Sequence, residues 1–221
     1  MVQVASTKRV IGPTRLSVSG YYCFRDQGMI PYESTLERDF LRKMAVSRRV
    51  LTVEAQPLSL HWEDASGRVR RYTPDYLVHW RWMGEFYRTR ELPWLVEVKP
   101  REDLRKHWSE WHAKFLMASR YAAQQGWRFR LLDEGRIRDA MFRNAVVLER
   151  YRRFNHAFSL EQLPSALMCG ICRAHRIVDH LTGPMNLRFA YVWHLLAVGY
   201  LDCDLTQPLG SDTEVWRSHE F

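Results

Sequence analysis

Two β-rich runs followed by a long stretch without glycine or proline constrain this chain more than any other feature. The first run is Arg71-Tyr72-Thr73-Pro74-Asp75-Tyr76-Leu77-Val78 and the second Pro93-Trp94-Leu95-Val96-Glu97-Val98-Lys99-Pro100. A segment containing Gly84 separates them, so they read as neighbouring antiparallel strands. From Arg101 to Gln125 nothing breaks a helix, and Leu104, Trp108, Trp111, Phe115, Leu116 and Tyr121 give it one aromatic and one charged face. Trp127 to Leu132 alternates as a further strand and Ile137 to Phe154 reads as helix. An α/β fold follows, a mixed sheet flanked by helices.

The polar residues inside these runs carry the chemistry. Alternate residues of a strand share a face, so Glu97 and Lys99 point the same way. A first strand that delivers Asp75 to the same sheet end brings two carboxylates and an ammonium together. Mg²⁺ takes oxygen ligands and is held by one or two carboxylates with waters and substrate phosphate. The competing reading of Glu-Val-Lys is a solvated ion pair on an edge strand, worth under about 1 kcal/mol. Pro74-Asp75 followed by Glu97-x-Lys99 resembles the active-site signature of the PD-(D/E)-x-K nuclease superfamily.

Upstream, Leu36, Phe40, Leu41 and Met44 recur at helical spacing in Glu33 to Met44. Ser34 with Glu37 three residues on has the pattern of a capping box, which would leave Glu37 no duty beyond helix stability. Val50 to Glu54 and Leu58 to Trp62 are short strands divided by Gln56-Pro57, Arg68 to His79 reads as one strand into Asp75, and Trp80 to Arg88 continues the sheet region. Residues 1–14 read as a flexible basic arm, and Arg15 to Phe24 as loop with room for a short strand.

Lys and Arg number 33 against 25 Asp and Glu, a net charge of +8 with a pI near 9.5. Such a surface favours a polyanionic partner, nucleic acid above all. No apolar run is long enough to span a membrane, and the N-terminus lacks the apolar core of a secretory signal, so a cytoplasmic protein is expected. The four cysteines are too few for a disulfide scaffold. Cys169-Gly-Ile-Cys172 with His175 has a fragment of a zinc pattern, but no second pair at tight spacing; small buried thiols are the plainer reading. The Trp and Arg residues could stack on single-stranded bases, but aromatics at helix or strand spacing more commonly form core.

From Leu160 the character changes. Leu160 to Ala174 is a helical pattern interrupted by Pro164 and Gly170, Ile177 to Leu181 a short element, and Met185 to Val198 a strongly apolar helix. Tyr200 to Asp204 and Thr213 to Trp216 flank a turn-rich segment as a hairpin. Helices followed by a two-stranded wing make a small winged-helix-like domain. Its apolar helix offers only Arg188 and His194 toward DNA, so protein contact is expected rather than base readout. The expected division is residues 1–155, catalytic, and 156–221, interaction.

Four motifs in order, Glu33 to Phe40, Glu54-Ala55-Gln56-Pro57, Tyr72 to Tyr76 and Val96 to Lys99, resemble those of TnsA, the endonuclease subunit of the heteromeric transposases of Tn7-like transposons. The resemblance covers roughly residues 20–150. It implies a restriction-endonuclease-like fold and a Mg²⁺-dependent endonuclease, with Mn²⁺ as an alternative ion. Its expected activity is cleavage of the 5′ (non-transferred) strands at transposon ends, beside a TnsB transposase and a TnsC ATPase. Residue by residue it implies Glu37, Asp75, Glu97 and Lys99 as catalytic, with Asp75, Glu97 and Glu37 holding metal. Some members carry Gln at the place of Glu97, and Glu33 is a second candidate for the helix carboxylate. Gln56 would help position the site. A stand-alone nuclease of the same fold and a non-catalytic DNA-binding subunit are the alternatives.

Overall fold

The computed structural model describes residues 3–5, 18–64, 66–82, 91–155, 158–163 and 170–218. The chain divides into two compact units, Met1–Ile137 and Arg138–Phe221.

The first unit opens with strand β1 (Gln3–Ala5), then the hairpin β2 (Gly20–Cys23) and β3 (Met29–Tyr32), helix α1 (Thr35–Val46), and strands β4 (Val50–Ala55), β5 (Ser59–Glu63), β6 (Val69–Tyr72), β7 (Tyr76–Trp80) and β8 (Trp94–Val98). Helix α2 (Arg101–Gln124), strand β9 (Arg128–Leu132) and the short helix α3 (Glu134–Ile137) complete it. Strands β4, β7, β8 and β9 form one mixed sheet in that order, antiparallel except for the parallel pair β8 and β9. A parallel pair needs a crossover, and α2 supplies it. A separate three-stranded sheet has the order β1-β5-β6.

Alternation along the central strands sorts two cores. Tyr76, Val78, Val96 and Val98 pack with Leu36, Phe40, Leu41 and Met44 of α1. The intervening Leu77 and Leu95 pack on the other face with Phe115, Ala118 and Ala122 of α2, and with Tyr72. The small Ala118 and Ala122 let α2 lie close to the sheet, while Trp108 stays half exposed. Helix α1 begins at Ser34, whose Oγ accepts the Glu37 backbone N–H at 3.1 Å. At its other end the Arg25 guanidinium donates to the carbonyls of Ala45, Met44 and Ser47, adding side-chain donors to the helix C-terminus.

Several boundaries differ from the sequence expectations. Residues 3–5 are a strand paired with β5, not part of a flexible arm, because β5 offers them an open ladder edge. The run Arg68–His79 is two strands in different sheets. Pro74 has no N–H to donate and biases Thr73 toward extended backbone, so the chain leaves one ladder at Tyr72 and enters the next at Tyr76. The helix expected over 137–154 is broken between α3 and a helix over Ala140–Glu149, where Asp139 starts a new N-cap by accepting the Phe142 N–H. Most of the Trp80–Arg88 segment lies outside the described residues.

The second unit contains α4 (Ala140–Glu149), β10 (Cys172–Arg173), α5 (Ala174–His180), α6 (Met185–Val198), β11 (Leu201–Cys203) and β12 (Glu214–Arg217). The three strands form an antiparallel sheet ordered β10-β12-β11. The expected helix over 160–174 is instead a single 3₁₀ turn at Leu160–Gln162 and the strand β10, with residues 164–169 outside the described set. Asn144 of α4 donates to the carbonyls of Leu205 and Gln207 in the loop after β11. Contacts therefore place 140–149 with the C-terminal unit, whereas the sequence reading put the boundary at 155/156. Helix α6 ends at Gly199, whose φ of 89° is left-handed backbone that glycine adopts without strain. Cys169 lies outside the described residues. Cys172 is a buried thiol whose pKa burial pushes up, and no group of three His, Cys, Asp or Glu able to hold a metal occurs among the described residues.

Candidate active site

The polar cluster sits where β7 begins and β8 ends. The pairing Tyr76↔Val96 sets Asp75, one residue before β7, against the C-terminal end of β8. Asp75 Oδ2 accepts the Val98 backbone N–H at 2.7 Å, and the Asp75 carbonyl accepts the Gln56 N–H at 2.8 Å. Lys99 is held by its own N–H, which donates to Leu132 of β9. Backbone bonds from three neighbouring segments thus fix the positions of Asp75 and Lys99.

Side-chain geometry joins three of the four expected residues directly. Lys99 Nζ lies 3.5 Å from Asp75 Oδ2 and 3.2 Å from Glu97 Oε1, and donates to the Val98 carbonyl at 3.0 Å. Glu97 is 2% exposed and Asp75 18% by side chain, so water compensates neither fully. Burial, and then the charge of Glu97, push the Asp75 carboxyl up against the opposing pull of Lys99. Burial alone would disfavour the Lys99 ammonium, but Asp75 and Glu97 outweigh it and hold the group protonated. The bland reading, a solvated surface pair, does not describe a carboxylate this deeply buried.

Glu37 approaches from the other face. It is the capping-box residue that the sequence suggested: Oε1 accepts from Ser34 Oγ at 2.9 Å and Oε2 from the Glu33 N–H at 2.8 Å. It also feels the site. Tyr76 Oη lies 3.3 Å from Oε2, and burial, with the Asp75 charge added, pushes the Glu37 carboxyl up to about 7. The three carboxylates Glu37, Asp75 and Glu97 do not close into one three-ligand cluster. Glu33, the alternative helix carboxylate, accepts instead from Gln56 Nε2 at 3.0 Å.

Sequence reasoning missed two groups and underrated a third. Tyr72 Oη donates to Glu97 Oε2 at 2.7 Å, its phenol held protonated by burial and the Glu97 charge. Lys114 of α2 brings a second ammonium to Glu97, 3.7 Å from Oε1. Gln56 has a positive φ of 47°, a strained backbone, and a buried Oε1 that finds no hydrogen-bond partner among the described residues. The sequence signal for Lys114 was its place between Trp111 and Phe115, on the apolar edge of an otherwise charged helix face.

The donors present fit a hard divalent cation. Among the described residues both polar contacts to Asp75 fall on Oδ2, leaving Oδ1 open, and Glu97 adds a second carboxylate across the same lysine. A mixed sheet, flanking helices and a buried carboxylate–lysine cluster at one sheet end define an α/β domain. Residues 47–134 match the family model described as TnsA-like endonuclease N terminal, so this segment is similar to the N-terminal domain of TnsA-like endonucleases. That segment includes Gln56, Tyr72, Asp75, Glu97, Lys99 and Lys114, and begins after Glu37. No curated protein matches the chain.

Proposed function

We propose that this protein is the metal-dependent DNA endonuclease subunit of a heteromeric transposase, cutting the 5′ (non-transferred) strands at transposon ends with a TnsB-like transposase and a TnsC-like ATPase. The observation that carries the reading is the buried Asp75, Glu97 and Lys99 cluster inside the matched segment. Asp75, through Oδ1, and Glu97 would hold Mg²⁺ or Mn²⁺, which supplies Lewis acidity at the scissile phosphate and lowers the pKa of a bound water. Lys99, held as an ammonium, donates to a non-bridging phosphate oxygen or orients the attacking water. Tyr72 fixes the rotamer of Glu97. Glu37 sits behind the cluster, where the Asp75 charge helps to raise its carboxyl.

The second unit has the element order of a winged-helix-like module: α5, α6, then the β11–β12 hairpin. Arg188 of α6 donates to the carbonyl of Gly183, and His194 Nδ1 lies 2.8 Å from the Tyr151 carbonyl. Arg188 and His194 are thus both engaged within the unit, which supports a role in protein contact over base readout. The Met185–Val198 helix offers few groups that could read base edges, so the subunit relies on the transposase to place the scissile phosphate. No helix among the described residues is long and apolar enough to cross a membrane, consistent with a cytoplasmic, DNA-associated protein.

The test is cleavage of end-containing duplex DNA. The isolated protein should bind DNA weakly, with strong salt dependence, and cut little. Adding the transposase and ATPase should yield Mg²⁺-dependent 5′-strand breaks that Lys99→Ala abolishes while 3′-end joining persists. Efficient cutting of arbitrary duplex by the protein alone would replace this reading with a stand-alone nuclease.

A further inference from the structure

We infer that Lys114 is a resident counter-ion of Glu97 that a divalent cation must displace, so that this lysine sets the metal affinity of the site. The inference rests on the metal-dependent reading above. Both oxygens of Glu97 are engaged. Oε2 accepts from Tyr72 at 2.7 Å, while Oε1 faces Lys99 at 3.2 Å and Lys114 at 3.7 Å. Asp75 has an open oxygen and Glu97 has none without a cation or donor against it, so a metal that takes both carboxylates must move a cation off Oε1.

The two lysines are not equally held. Lys99 has three acceptors, Asp75 Oδ2, Glu97 Oε1 and the Val98 carbonyl, and its backbone is fixed by β9. Lys114 has one ion pair among the described residues, the longer of the two to Oε1. Its ammonium also lies over three ring faces, 4.7 Å from Trp111, 5.0 Å from Phe115 and 5.1 Å from Tyr72. Cation–π attraction is independent of Glu97, so the ammonium keeps a favourable place after it gives up the carboxylate. The side chain is 24% exposed, which leaves it a path to water. Lys114 is therefore the cation that yields, and it guards Glu97 against an uncompensated buried charge until metal arrives.

The experiment is Mn²⁺ binding to the full, metal-stripped chain by titration calorimetry at pH 8 and fixed ionic strength. Lys114→Met should tighten binding by about tenfold or more, the order that Coulomb's law gives for removing a unit charge beside a dication even at the dielectric constant of water. Lys114→Arg, which keeps the charge and the ring contacts, should bind as the parent does. A purely structural role would lower the melting temperature of Lys114→Met without tightening Mn²⁺. Should that variant fail to fold, Lys114→Gln carries the same expectation. Unchanged or weaker binding in the neutral variants, with binding lost in Asp75→Asn, overturns the inference and leaves the metal reading intact. Binding that is absent in the parent and in Lys114→Met, or unaffected by Asp75→Asn, overturns both.

Discussion

The two faces of the mixed sheet each bury a glutamate, and they compensate it by opposite means. On the α1 face Glu37, 8% exposed, is surrounded by neutral donors: a serine hydroxyl, a backbone N–H and a tyrosine. On the α2 face Glu97, 2% exposed, has two ammonium groups and one tyrosine. Neutral donors satisfy lone pairs without cancelling charge, so burial pushes Glu37 up to about 7. Cations cancel the charge itself. The first face therefore holds a proton acceptor suited to neutral pH, and the second a charged cluster suited to exchange one cation for another.

The comparison can be broken most severely at the residue between the faces. Asp75→Asn keeps an acceptor for the Val98 N–H but removes the open carboxylate oxygen, and cleavage by the assembled machine should fall about 100-fold or more. Circular dichroism should show the fold retained. If cutting survives, Asp75 holds no metal.

Next come the two glutamates. Glu97→Gln leaves Lys99 and Lys114 without their shared carboxylate and should destabilise by about 2–3 kcal/mol, allowing for the partial exposure of both lysines. In a domain of this size that is a fall in melting temperature on the order of 5–10 °C. Glu37→Gln should be nearly neutral at pH 8, because it removes a charge that burial and Asp75 disfavour more than Lys99 favours it. Equal losses from both substitutions would erase the distinction between the faces.

The pH dependence sharpens it. The Glu37 carboxyl stands at about 7 in the fold against 4.5 in an unstructured chain. The stability linked to its proton is full below 4.5 and is lost as pH rises through 7. The metal-free protein should lose about 1–3 kcal/mol between pH 5 and pH 8, Asp75 contributing in the same direction. Chemical denaturation across that range checks the slope, which Glu37→Gln should flatten. A slope that Glu37→Gln leaves unchanged would mean that Glu37 stays charged throughout.

The smallest effect belongs to the cap. Ser34→Ala removes the acceptor for the Glu37 N–H and one donor to its carboxylate, and should cost about 1 kcal/mol. Measured in the Glu37→Gln background the cost should shrink, since a neutral amide needs that hydroxyl less than a carboxylate does.

Much of the first unit was legible because its determinants are local. The capping box at Ser34 and Glu37, the uninterrupted α2, and the alternation through Tyr76–Val78 and Leu95–Val98 each specify an element and a face within a few residues of chain. Asp75, Glu97 and Lys99 were legible for the same reason: each sits at a defined step of a strand. The break at Thr73-Pro74 was signalled by a proline but not its consequence, because which sheet Tyr72 and Tyr76 each join depends on partners far along the chain. The strand at Gln3–Ala5 left no local sign, since its ladder is supplied by β5.

By itself, then, the sequence determined the α/β character, the two central strands, the helices that flank them and the three residues of the carboxylate–lysine cluster. Tertiary structure decided what compensates each carboxylate. Strand and helix periodicity act over two to four residues and can be read along a chain. The meeting of Lys114 and Tyr72 with Glu97, and of Tyr76 with Glu37, is made by packing α2 and α1 on opposite faces of a sheet, and charge compensation depends on distances in space that no spacing in sequence encodes.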